Sequence, residues 1–154
     1  MTQSMPGFNG RRNLDCAGED RLPCEPVAVP KGQARRVLGQ RGEQEAERFL
    51  LSQRYSILVK NYRSPLGEID LIALDHQTVD FVEVRTHTGD AFGDPLASVN
   101  MRKQRQITKT ALYYLMRNGL NNCDARFDVI GIRWEAGAAR LTHIKGAFEV
   151  TRDL

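Results

Sequence analysis

The chain has 154 residues, 41% hydrophobic and 27% charged, with a formal net charge of +3. That composition supports one folded domain and argues against a wholly disordered chain. A balance this mildly basic permits a phosphate-backbone partner without requiring one, and three cysteines without a CxxC pair argue against a disulfide framework or a zinc site.

Residues 1–33 hold four of the six prolines and no periodic apolar run. They read as a disordered tail, leaving 34–154 as an α/β domain long enough to bury a core. The opening MTQSMPGFNGRRN lacks the apolar stretch of a signal peptide, and no run is long enough to cross a bilayer. With cysteine usage that fits a reducing compartment, this points to the cytoplasm. Arg35, Arg36 and Arg41 make a basic exit from the tail and read as a solvated linker.

Ala46, Phe49, Leu50 and Gln53 recur at helical spacing, predicting a helix over about 40–54. Glu43 lies on or beside its buried stripe. On position alone it could be an N-terminal acid favoured by the helix dipole. YSILVKNYRS (55–64), GEIDLIALD (67–75) and TVDFVEVRT (78–86) read as strands, the last two joined by the short polar gap of a hairpin. THTGDAFGDP is a turn-rich loop. A second helix is predicted over about 95–118, with Ile107, Ala111, Tyr114 and Leu115 on its apolar face and Gly119 at its stop. ARFDVIGIRWE is a fourth strand, and ARLTHIKGAFEV contains a fifth. Helix, three strands, helix, strand describes a mixed central sheet flanked by helices.

Two acids interrupt the apolar strands. Glu83 and Arg85 are two apart, share Phe81's side of the strand, and leave Val82 and Val84 to the opposite layer. Asp70 stands on the neighbouring strand. Two carboxylates brought together across a hairpin repel and need a cation to stay ionised. Arg85 or Lys103 could supply it, and a hard divalent metal such as Mg²⁺ would serve better. Asp70 could equally face solvent beside its turn, and Glu83 with Arg85 could be an ordinary ion pair. Lys103 extends the apolar stripe of the second helix, so its stem either snorkels past the core rim or reaches an acidic site. Arg102, Arg105 and Lys109 form a basic face at i, i+3 and i+7, suited to phosphates or simply solvated. Helical spacing places Tyr114 in the core, and Asp128 reads as a structural partner for Arg126 or a helix residue.

Arg41-Gly42-Glu43 with Ala46, Asn61-Tyr62-Arg63, Gly67-Glu68-Ile69-Asp70-Leu71-Ile72, Phe81-Val82-Glu83-Val84-Arg85, Lys103, and Arg126-Phe127-Asp128-Val129 together carry a resemblance. Residues 39–132 resemble the YraN-like family of uncharacterised bacterial proteins, which in turn resembles archaeal Holliday-junction resolvases and the PD-(D/E)xK nuclease superfamily. The resemblance implies a restriction-endonuclease-like fold and Mg²⁺ or Mn²⁺ held by Asp70, Glu83 and the Val84 carbonyl. Glu43 would match the helix acid that orients metal or water, and Arg85 stands where the superfamily has a lysine. Arginine keeps the charge but does not give up its proton, so it cannot act as a general base. It could stabilise charge on the phosphate. The function implied is a metal-dependent endonuclease-like protein acting on DNA, with branched, structured or single-stranded forms as candidates. Because the resolvases work as dimers, the resemblance leaves room for a homodimer. The alternatives are a nucleic-acid-binding module of weak or no turnover, and a small interaction protein whose acids form structural ion pairs.

Overall fold

The computed structural model describes residues 31–88 and 95–150. Helix α1 spans Lys31–Ser52, followed by strands β1 (Ser56–Ser64), β2 (Gly67–Asp75) and β3 (Thr78–Thr88). A short 3-10 turn over Leu96–Ser98 leads into helix α2 (Met101–Arg117), then β4 (Ala125–Glu135) and β5 (Ala138–Ile144). The five strands form one sheet in the order β1-β2-β3-β4-β5. The β2–β3 hairpin is antiparallel as expected, as are β1–β2 and β4–β5, while β3 and β4 run parallel with α2 as the crossover. This is a mixed α/β sheet with a helix on each face, consistent with a restriction-endonuclease-like arrangement.

Alternation along the strands sorts the side chains between two cores. Ile72, Phe81, Phe127 and Val129 pack with Ile107, Ala111, Tyr114 and Leu115 of α2. Leu71, Ala73, Val82, Ile130 and Ile132 pack with Ala46 and Leu50 of α1. Tyr114 is core, as its spacing predicted, with Tyr62 and Phe81 edge-on against it.

Two boundaries differ from expectation. Helix α1 begins at Lys31, nine residues before 40 and inside the segment assigned to the tail; residues 1–30 lie outside the described ones. From Gly32 to Val37 its side chains are exposed, so these turns have no apolar face to betray them. Helix α2 begins at Met101 rather than 95, because Asn100 caps it: its Oδ1 accepts from the Lys103 N–H at 3.0 Å. The expected loop at 86–95 falls mostly on residues 89–94, outside the described ones, and its first three residues, 86–88, extend β3 instead.

Gly42 explains how close α1 can come to the sheet. A Cβ there would collide with the side chain of Thr86 on β3, with Thr86 Cγ2 at 3.3 Å. Gly67 opens β2 with φ +147° and lies under Gln106 of α2, where a Cβ would come within 2.7 Å of Cγ. Alanine in a helix normally gains about 1 kcal/mol over glycine, but forcing a methyl into packed space costs about 1–3 kcal/mol. Gly42→Ala is therefore expected to lower the urea midpoint. Adding Thr86→Ala, which removes Oγ1 and Cγ2, is expected to recover most of the loss.

Candidate functional site

The β2–β3 ladder runs from Asp75↔Thr78 to Leu71↔Val82 and stops. The next pair by count is Asp70 and Glu83, on the face toward α2. There Asp70 takes over the ladder's role: its Oδ2 accepts from the Val84 N–H at 2.8 Å. Glu83, 3% exposed, uses Oε1 for both Arg85 NH2 and Lys103 Nζ, each at 3.1 Å. The Glu83–Arg85 pair follows from their i, i+2 spacing, and Lys103 reaches the acids from the first turn of α2. Glu83 Oε2 is buried without a hydrogen-bond partner.

These groups line one cleft of about 410 Å³, together with Glu43, Glu68, Arg35, Thr86, His87 and Ser98. A neighbouring hollow adds Arg36, Asn61 and Arg63 around Glu43, Glu68 and Asp70. The structure thus brings together Glu43, Asp70, Glu83, Val84, Arg85 and Lys103 on an acidic floor with a cationic rim. It does not bring Arg102, Arg105 or Lys109 into that cleft; all three are exposed on the outer side of α2.

The floor is electrostatically crowded. Burial and then repulsion from Asp70 push the Glu83 carboxyl up to about 7, against the pull of Lys103 and Arg85. Burial also raises Asp70, offset by the Val84 N–H and the two cations. Glu43 is raised by burial and by Asp70, with the Asn61 side chain favouring its ionised form.

A second polar cluster lies on the other face, toward α1. Asp80, Asp128 and His143 each place a ligand atom within 4.8 Å of the others, a set that could hold a metal ion. A cation is already there. Arg126 sets Nε 2.9 Å from Asp128 Oδ1 and NH2 3.0 Å from Asp80 Oδ2, and also meets Asp75 and the Tyr55 hydroxyl. His143 Nε2 lies 2.6 Å from Asp128 Oδ2, and the Gly146 N–H donates to Oδ1. Asp128 is thus a structural partner of Arg126, as its sequence position suggested. Asp80 and His143 were not legible as its companions. The one signal was an acid at 80 on the same inward alternation as Val82.

The model of the uncharacterised protein family UPF0102 matches residues 42–132. The chain belongs to that family. It is 44% identical over 115 residues to the UPF0102 protein of Desulfosudis oleivorans, covering 75% of this chain and 92% of the relative. The UPF0102 protein of Trichlorobacter lovleyi is 42% identical over 121 residues, covering 77% and 95%. That of Moorella thermoacetica is 43% identical over 117 residues, covering 74% and 97%. This UPF0102 membership agrees with the YraN-like pattern of the sequence, and the match takes in every acid of the cleft. No helix among the described residues is long and apolar enough to cross a membrane.

Proposed function

We propose that this UPF0102 chain is a metal-dependent nuclease-like protein acting on DNA, with its centre in the Glu83 cleft. The observation that carries this reading is the Glu83 carboxylate, buried beside Asp70 with Oε2 unpartnered. A buried carboxylate oxygen without a donor is costly, and a hard divalent cation is the partner that two converging carboxylates suit. Mg²⁺ or Mn²⁺ fits this donor set: Asp70 and Glu83 would hold it with the Val84 carbonyl, and Glu43 stands at the edge. When bound, such an ion lowers the pKa of water and polarises a phosphoryl oxygen.

The chain's own cations do the rest. Arg35, Arg36 and Arg63 on the rim meet the charge of an approaching phosphodiester. Arg85 and Lys103 neutralise the floor and stabilise charge that builds on the phosphate as water adds and the ester bond breaks. Arg85 takes no proton. This supports the PD-(D/E)xK likeness in layout while departing from it in chemistry. One observation favours a second reading, binding without turnover: Arg85 and Lys103 already satisfy Glu83 Oε1.

The test is a panel of linear, nicked, flapped, single-stranded and four-way DNA with Mn²⁺, then with EDTA. Cutting that stops with EDTA supports the nuclease reading. Salt-sensitive binding without cutting supports the second, and absence of both leaves the acids as structural ion pairs. On the same DNA, Arg102→Ala/Arg105→Ala/Lys109→Ala is expected to reduce the slope of log affinity against log salt by about 2–3, near one for each phosphate no longer neutralised. An unchanged slope would assign that face to solvent.

A further inference from the structure

We infer that Asn61 is a positioning residue, whose left-handed backbone in the middle of β1 turns its amide toward Glu43 and holds that carboxylate at the edge of the Asp70–Glu83 cleft. The inference rests on the metal-site reading above and adds a residue to it.

Asn61 has φ +51°, and among the described residues it is the one non-glycine with positive φ inside a strand; Arg54, His76 and Ala136 sit in turns. The conformation is uncommon for a side chain with a Cβ, and asparagine tolerates it better than most. Its place matters. Lys60 pairs with Leu71 and Tyr62 with Ile69, so Asn61 stands across from Asp70 by count. Alternation slips there: Ile69 and Leu71 are two apart, yet Ile69 packs in the α2 core and Leu71 in the α1 core. The kinked segment lines the same hollow as Glu43, Glu68 and Asp70. Asn61 and Glu43 also line a second hollow together, with Glu47, Lys60 and Leu71, and there the amide acts against the burial and the two nearby acids that raise the Glu43 carboxyl. Glycine would adopt this backbone with no steric cost. What asparagine adds is the amide.

Asn61→Gly therefore separates shape from positioning. The experiment is Mn²⁺ titration by calorimetry at one pH, on the wild-type chain, Asn61→Gly, Glu43→Gln and the double variant, with thermal melts of each. The expected result is an unfolding temperature at or above wild type for Asn61→Gly, with Mn²⁺ affinity down about tenfold, the scale of losing a group that orients a ligand. In the Glu43→Gln background the same change is expected to have no further effect, because Asn61 acts through Glu43. Unchanged affinity in Asn61→Gly, an equal loss in both backgrounds, or a marked fall in unfolding temperature would each overturn the inference, leaving Asn61 as strand geometry only. Wild-type protein that gives no Mn²⁺ heat would end the metal-site reading and this inference with it. Heat in the wild type with no coupling ends the inference alone.

Discussion

Glu83→Gln is expected to lower metal-dependent cutting of DNA by about 10³-fold, the scale of losing a group that organises charge in the transition state. It is expected to do so without unfolding the protein. The amide keeps the volume of the carboxylate, so neither the α2 core nor the sheet is disturbed, and the acceptor for Lys103 survives as a carbonyl oxygen. What disappears is the second negative charge beside Asp70. Thermal melts check this independently of any substrate. A ligand that binds only the folded state stabilises it by RT ln(1 + [L]/Kd). On the proposed metal site, Mn²⁺ at about 100 times its Kd is expected to add about 2.7 kcal/mol to the wild type and little to Glu83→Gln. Equal Mn²⁺ shifts in both proteins would remove Glu83 from the metal site. Full cutting by Glu83→Gln would move the chemistry elsewhere.

The layout that makes Glu83 central was legible because two local rules agree. Period-two alternation put Glu83 and Arg85 on one side of β3, and a short polar gap made β2 and β3 a hairpin. Those rules left Asp70 able to face solvent beside its turn, and the structure instead sets its Oδ2 on the Val84 N–H, next to Glu83. Lys103 was legible as an extension of the α2 stripe, and the structure ends that stem on Glu83. The first turns of α1 were not legible. They are exposed along Gly32–Val37, and a helix without a buried face leaves no periodic trace. The Asn61 backbone was hidden for another reason: φ depends on what the strand must accommodate, and asparagine is common in many conformations.

The Asp80 network was hidden by distance along the chain. Arg126 stands 46 residues from Asp80 in sequence, and only the parallel register of β3 with β4, Asp80↔Arg126, makes them neighbours. Arg126-x-Asp128 could be read locally as a pair. Nothing local says that Asp80 shares that guanidinium, or that β5 returns His143 to Asp128.

At pH 8 the Asp80→Asn variant is expected to be more stable than the wild-type chain, the gap narrowing as pH falls and closing near pH 4. Asp80 is fully buried, with Oδ2 on Arg126 and Oδ1 without a partner among hydrogen-bonded atoms. Burial, and then repulsion from Asp128, raise its carboxyl from 3.8 to about 8. Asp128 goes the other way, drawn down to about 2 by His143, Arg126 and Asp80 despite its burial. Near neutral pH these opposite shifts favour a proton on Asp80 and an ionised Asp128. A raised acid binds its proton more tightly in the folded state than in the unfolded one. Its stabilisation is complete below about pH 4 and is lost as pH rises toward 8. Asp128 adds stability above about pH 4 that is lost only as pH falls toward 2. Glu83, raised to about 7, slopes the same way as Asp80. The wild-type midpoint in urea should accordingly decline between pH 5 and pH 8. The fall amounts to several kcal/mol, since each tenfold difference in proton affinity between folded and unfolded states is worth about 1.4 kcal/mol. Asparagine stands in for the protonated acid: it carries no charge, and its carbonyl still accepts from Arg126. The variant's stability should be flatter over the same range, keeping only the slope from Glu83. A wild-type stability that rises from pH 5 to pH 8, or an Asp80→Asn variant weaker than wild type at pH 8, would mean that Asp80 is ionised in the folded protein and that Arg126 balances both carboxylates.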